Sequence, residues 1–234
     1  MRQIIFDTET TGLNRQGSDP SENHRIIEIG CIELIDRKFT GRDFHQYLNP
    51  QRPIDPESIA VHGITDERVS REPTFAQIYP ELWHYLEGAD ELIAHNIRFD
   101  QAFLNRELAL VGAGFRIEER FGLVDTLAMA RKQFVGQRAS LDALCKRFNI
   151  DTSHRTLHGA LLDAKLLGEV YLKLTGGQSN LWAEVNSEPE SSKSSSSVKP
   201  LLNQSAFQHT WAAYEPNPEA VVMHESILNS IRKK

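Results

Sequence analysis

A short apolar run, Ile4-Ile5-Phe6, leads into Asp7-Thr8-Glu9-Thr10-Thr11-Gly12-Leu13, with two carboxylates placed where a strand is expected to end. Side chains alternate faces along a β-strand, so Asp7 and Glu9 point to one side of a sheet and Thr8 to the other. Like charges this close repel unless a cation lies between them. Oxygen donors suit hard divalent ions, which makes this strand end a candidate Mg²⁺ or Mn²⁺ site. Taken alone, an Asp-x-Glu also reads as a polar strand end running into a Thr-Thr-Gly turn, so the rest of the chain must decide.

With 234 residues there is room for one well-cored domain with an appendage, or for two small domains. No apolar run approaches a membrane span, and Met1-Arg2 passes straight into a strand. The chain therefore reads as cytoplasmic, with neither anchor nor secretion signal. Cys31 and Cys145 lie inside apolar patterns and read as buried free thiols. A net charge of -6 argues against a broad nucleic-acid-binding surface, so any such chemistry must use local contacts.

Alternating patterns predict strands over 25–35 and 43–48, and short connections make these and the first strand an antiparallel meander. A short helix starts near Pro56, with His62 just before Gly63. Thr74 caps a helix with Phe75, Ile78, Leu82 and Leu86 on one face, which Pro80 should kink or shorten. A brief buried strand over 91–96 precedes a helix from Phe99 to about Val111, so Asp100 sits at a strand-to-helix junction, where a capping aspartate is also at home. Ser140 caps a further helix. Basic residues outnumber acids between Met129 and Arg155, a local positive patch for phosphates or simply solvated surface. Last comes a helical pattern from Thr156 towards Gly176-Gly177. Asp163 stands in its apolar stripe and needs a partner or a metal there. His158 precedes Asp163 by five residues, about 140° of helix, and reaches the same site only from an irregular approach.

Asp7, Glu9, Asp100 and Asp163, with His158 before the last, make the chain similar to the DEDD exonuclease superfamily in its histidine-bearing subclass. Asp-Thr-Glu-Thr-Thr-Gly-Leu, His-Asn-x-x-Phe-Asp and His-x-x-x-x-Asp occur in order across residues 1 to about 175. More closely, Arg2-Gln3-Ile4, Val61-His62-Gly63-Ile64, Ser140-Leu141-Asp142-Ala143-Leu144-Cys145 and Thr175-Gly176-Gly177-Gln178 resemble the family of epsilon proofreading subunits of bacterial DNA polymerase III. That resemblance implies an α/β, RNase H-like exonuclease fold with a mixed central sheet flanked by helices, plus a flexible C-terminal tail. It implies 3′ to 5′ exonuclease activity on DNA with two divalent ions, Mg²⁺ or Mn²⁺, as cofactors. Asp7 would bridge both ions, Glu9 and Asp163 complete one site, Asp100 hold the other, and His158 act as general base. Thr10, Thr11, Leu13, Glu57, His62 and Phe99 would join Asp7, Glu9 and Asp163 in binding the terminal nucleotide. The family pattern also leaves room for a small accessory subunit on the exonuclease domain.

Beyond an exonuclease domain spanning 1–177, residues 178–205 are polar and Ser-rich and read as a flexible linker. Gln178, Leu181 and Trp182 resemble a sliding-clamp-binding motif. Residues 206–234 carry Phe207, Trp211 and Tyr214 before a short helical pattern, too little to bury itself, and stand where the epsilon family docks on the polymerase catalytic subunit. Two alternatives share these features: an RNA-trimming exonuclease of the same superfamily, and a structural adaptor between polymerase and clamp.

Overall fold

β1 (Arg2–Thr10) is the strand around which the sheet is assembled, and it does not end at its two carboxylates. It continues because Thr8, Glu9 and Thr10 keep partners Ile29, Glu28 and Ile26 on the antiparallel β2 (Ile26–Ile35), with a register shift between Glu9 and Thr10. Such irregularities bend a strand end and re-aim its side chains, and they gather beside active sites. The computed structural model describes residues 1–15, 17, 19–153, 155 and 157–176.

β3 (Lys38–Tyr47) completes the expected meander, whereas β4 (Glu91–Ala94) and β5 (Gly122–Asp125) run parallel to β1 on its other side, giving the order β3-β2-β1-β4-β5. The parallel strands bring the ends of β1 and β4 to one edge, the usual place for a site in an α/β sheet.

Alternation along β1 sends Ile4 and Phe6 to one face and Ile5 to the other. The first face packs on α3 (Phe75–Leu86) and α4 (Ile97–Leu110) through Phe75, Leu82, Phe103 and Leu108. The second packs on α7 (Ala160–Gly176) through Leu167 and Tyr171, with α6 (Leu141–Arg147) against the outer side of α7. α3 keeps its full length through Pro80. Pro80 and Ala76, whose carbonyl loses its helical partner, are both exposed residues, so the freed carbonyl is on the side of the helix open to water. Ser140 caps α6 by accepting from the Ala143 N–H. Both cysteines are buried free thiols. No helix among the described residues is long and apolar enough to cross a membrane.

Gly30, on β2, lies directly across from Asp7. A Cβ there would come within 2.2–2.4 Å of backbone atoms of Ala160 and Leu161. Glycine therefore lets the first turn of α7 rest on the sheet, which lowers Asp163 onto the face that carries Asp7 and Glu9.

Candidate active site

Three elements deliver the acids. β1 supplies Asp7 and Glu9 on the α7 face, and Thr8 on the opposite face donates its hydroxyl to Asp100 Oδ1 at 2.7 Å. Asp100 lies in the first turn of α4, and the start of that helix is held by the β4–α4 junction. Asn96 takes the left-handed conformation there, φ 69°, and its N–H donates to Asp125. Beside it, His95 Nδ1 meets the Thr126 hydroxyl at 3.0 Å. Arg25 grips Glu107 on the inner side of α4 with two hydrogen bonds, 2.7 and 2.8 Å, tying the helix to the start of β2. Asp163 sits in the first turn of α7 and is buried.

These carboxylates crowd one another. Burial pushes Asp7 well above the ordinary carboxylate range, and the charges of Asp100, Glu9, Asp163 and Glu28 add to it. Glu9 is pushed up to about 8 by burial and then by Glu28, Asp163 and Asp100. Asp100 is pushed up to about 7 by burial, with the Thr8 hydroxyl pulling the other way. Charge of one sign, held by the fold in a poorly hydrated place, is the condition that a bound cation relieves.

Part of that relief comes from the chain itself. Arg155 donates through Nε to Asp163 Oδ1 and through Nη2 to Asp163 Oδ2 at 2.7 Å, and it also pairs with Asp142. The same Nη2 lies 2.8 Å from His158 Nδ1, which is 3.0 Å from Asp163 Oδ2. Arg155 thus turns inward and is not part of a solvated basic patch, contrary to one reading of the 129–155 stretch. His158 lies two residues before the first residue of α7, off the helix, as reaching the site required. Its side chain is 44% exposed against 5% for Asp163, so it is the movable member of the pair. One donor atom each from Glu9, His158 and Asp163 all lie within 4.8 Å of one another. Three donors of this kind, with Asp7 and Asp100 adding charge, fit a hard divalent cation.

Next to the acids, a cavity of about 220 Å³ is lined by Glu9, Thr10, Leu13, Glu57, His62 and Phe99 among others. His62 Nδ1 accepts from the Ile64 N–H, and burial lowers its basicity. Glu57 is exposed and paired with Arg15 at 2.8 Å. Thr11 is placed differently from the expectation. Its side chain is fully buried, accepting from the Arg25 N–H and meeting His24, so it braces the turn without lining the cavity. At Gly12, φ 152°, a Cβ would strike Asp55 at 2.3 Å, which keeps the turn this tight.

Two site members escaped the sequence reading. Glu28 faces Glu9 across the β1–β2 ladder, is buried, and is held by His45 Nε2 at 2.7 Å and the Ala160 N–H at 3.1 Å. The signal for it was a single acid inside the apolar run Ile26-Ile27-Glu28-Ile29. Arg155 gave none, because a side chain in an irregular segment has no periodic direction. Gln178, Leu181, Trp182 and the segment 206–234 lie outside the described residues.

The exonuclease family profile (RNase_T) matches residues 4–171. The chain is 44% identical over 234 residues to DNA polymerase III subunit epsilon of Escherichia coli (strain K12), covering 100% of this chain and 94% of that one. It is 45% identical over 234 residues to DNA polymerase III subunit epsilon of Salmonella typhimurium, with the same shares. Among solved structures, Exonuclease X in complex with 5′ overhanging duplex DNA aligns with a TM-score of 0.55 and 28% identity, over 78% of this chain and 98% of that one. Full-length likeness at this level, on a sheet that gathers these acids beside a histidine, shows that the chain belongs to the exonuclease family and, within it, to the DNA polymerase III epsilon subunits.

Proposed function

We propose that Asp7, Glu9, Asp100, Asp163 and His158 carry the 3′ to 5′ proofreading exonuclease activity of this family member, with Glu9, Asp163 and Asp7 as the principal metal-holding groups. The observation that supports this most is the convergence of Glu9, His158 and Asp163 donors within 4.8 Å beside the raised carboxyls of Asp7 and Asp100. As a polymerase III subunit the protein works with the polymerase on DNA, and as a member of this exonuclease family it depends on divalent metal. The finer reading is two ions, Mg²⁺ or Mn²⁺, in a cytoplasmic enzyme. Bound there, the ions would polarise water and offset charge on the phosphate and the leaving oxygen.

The chain's own residues do the remainder. Arg155 must leave the Asp163 oxygens before they hold a cation, and its guanidinium is then free beside the place of the phosphate. His158, outside the helix and exposed, takes the proton of the attacking water. Phe99 and Leu13 give the terminal base an apolar surface, which every base tolerates, while Thr10, Glu57 and His62 bound the sugar side of the cavity. Discrimination then rests on fraying: a mismatched terminus costs less to unpair and arrives more often.

A 5′-labelled DNA primer, matched or mismatched at its 3′ end, tests this directly. The expected result is a ladder that forms faster from the mismatch and vanishes in chelator. Cleavage confined to RNA would move the protein to RNA trimming. Binding of metal without cleavage would favour the adaptor reading.

We also assign residues 1–177 to the nuclease, 178–205 to a linker carrying the clamp motif Gln178, Leu181 and Trp182, and 206–234 to docking on the polymerase catalytic subunit. A small accessory subunit would sit on the nuclease domain. Tethering supports this arrangement, because high effective concentration removes the need for a broad basic DNA surface on a chain of net charge -6. Deletion of 206–234 is expected to abolish co-purification with the polymerase and to leave primer degradation by the free protein intact. Undiminished co-purification would refute the assignment.

A further inference from the structure

On the outer side of α4, beyond Phe99, lies a cleft of about 650 Å³ that the acids do not occupy. Its floor is the helix stripe Arg98, Ala102, Arg106 and Ala109, spaced so that all four share one face. Its opposite wall is formed by Asp19, Pro20 and Arg116. The small Ala102 between the arginines, and Ala109 beyond them, keep the floor open.

The charges in this cleft are unequally satisfied. Arg116 pairs with Glu118 at 2.6 Å, and Asp19 is held by the Ser21 N–H and hydroxyl. Arg98 and Arg106 have no hydrogen-bond or ion-pair partner among the described residues, and Arg106 Nε is buried without one. The nearby acid Glu107 is already taken by Arg25. Arg106 feels the Asp19 carboxylate at longer range, yet neither guanidinium is hydrogen-bonded to an acid, and two such groups in one cleft, on a chain of net charge -6, select a polyanion. Arg98 and Arg106 are eight residues apart, about 12 Å along the helix, so they address two separated anionic groups and not one.

Position names the polyanion. Phe99 lines both this cleft and the cavity beside Glu9, so whatever leaves that cavity past Phe99 meets Arg98 next and Arg106 after it. We propose that the α4 cleft is the track for the sugar-phosphate backbone of a single DNA strand on the 5′ side of the nucleotide being removed, with Arg98 and Arg106 each on one phosphate. This rests on the nuclease reading of the adjacent site. Guanidinium contacts to phosphate fix path and register and carry no base preference, which suits an enzyme that removes any of four nucleotides.

Fluorescence anisotropy in chelator, on the full chain, measures the track without hydrolysis. The probes are oligothymidylates of two and eight nucleotides, titrated from 0.1 to 1 M salt against the natural protein, Arg98→Glu, Arg98→Ala/Arg106→Ala and Arg106→Lys. Each single-strand phosphate contact contributes a salt slope of about 0.7, so losing two should lower the slope for the octamer by about 1.4 and its affinity at 0.1 M roughly 25-fold. The advantage of the octamer over the dinucleotide should shrink by the same factor, and Arg106→Lys should restore most of it. Arg98 is exposed, so Arg98→Glu tests the cleft without disturbing the core. An unchanged octamer slope overturns the proposal, as does an equal loss for both lengths. A protein that binds octamer in this way yet never cleaves DNA would sink the nuclease reading and leave the track standing.

Discussion

Replacing Asp7 by asparagine should abolish DNA hydrolysis and at the same time make the metal-free protein more stable at pH 8. Both effects follow from one cause. Burial is the main penalty on the charge of Asp7, and Asp100, Glu9, Asp163 and Glu28 around it add to that penalty. In chelator the substitution removes a repelled, poorly hydrated carboxylate and keeps its shape. With metal present it removes a central ligand, and the loss of several kcal/mol of charge stabilisation, at about 1.36 kcal/mol per decade, lowers kcat roughly 10³-fold or more. The pH dependence has a definite sign. Carboxyl groups whose folded pKa lies above the unfolded value stabilise the fold fully below about pH 4 and lose that contribution as pH rises through the folded pKa. For Asp100 and Glu9 those values are about 7 and about 8. The metal-free protein should therefore melt at progressively lower temperature between pH 5 and pH 9, Asp7→Asn less steeply, with a difference at pH 8 of a few degrees per kcal/mol of relief. Added Mg²⁺ or Mn²⁺ should reverse the trend in the natural protein by ligand linkage, and much less in the variant. Scanning calorimetry across pH, with and without chelator, reads all of this. A variant that melts below the natural protein in chelator at pH 8 contradicts the account of charge crowding.

Much of this site was legible because strand alternation is a strict rule. Asp7 and Glu9 share a face whatever surrounds them, and the caps at Thr74 and Ser140 are local chemistry. Asp163 was legible as a charge in an apolar helical stripe. What stayed hidden depends on register and on irregular backbone. Glu28 enters the site only because β1 and β2 pair Asp7 with Gly30 and Glu9 with Glu28, and that register is set across a connection of irregular structure. A shift of one residue would have sent Glu28 to the other face. Arg155 belongs to the segment between α6 and α7, where no period assigns a direction, and its counting as surface charge was the natural error. Pro80 shows a third limit: the cost of proline in a helix depends on whether the freed carbonyl meets water, which is a matter of tertiary placement. The strand through Thr10 is a fourth, since pairing with β2 carried β1 past the point where its apolar run stopped.

His158→Ala should cut kcat by about 10² to 10⁴ while leaving the affinity for divalent metal nearly unchanged. The geometry allows a competing role, because a nitrogen of His158 lies in the same 4.8 Å cluster as Glu9 and Asp163, and a ligand would lose both properties together. Exposure favours the base: a side chain 44% exposed on an irregular segment is free to move, whereas Asp163, at 5%, is fixed by its helix. Tautomer chemistry points the same way. His158 Nδ1 is within reach of both Arg155 Nη2 and Asp163 Oδ2, yet one nitrogen cannot accept from the first and donate to the second at once. With Arg155 in place a bare Nδ1 is favoured. Once Arg155 leaves, Nδ1–H donates to Asp163 and Nε2 is left bare to take a proton from water, the arrangement a general base requires. Metal seating and base tautomer are then coupled through Arg155. The pH–rate profile separates the roles: loss of a base flattens the acidic limb of log kcat, and added imidazole restores part of the rate. Calorimetric metal titration of His158→Ala completes the test, since a fall in metal affinity matching the fall in kcat would move His158 from the base to the ligand set.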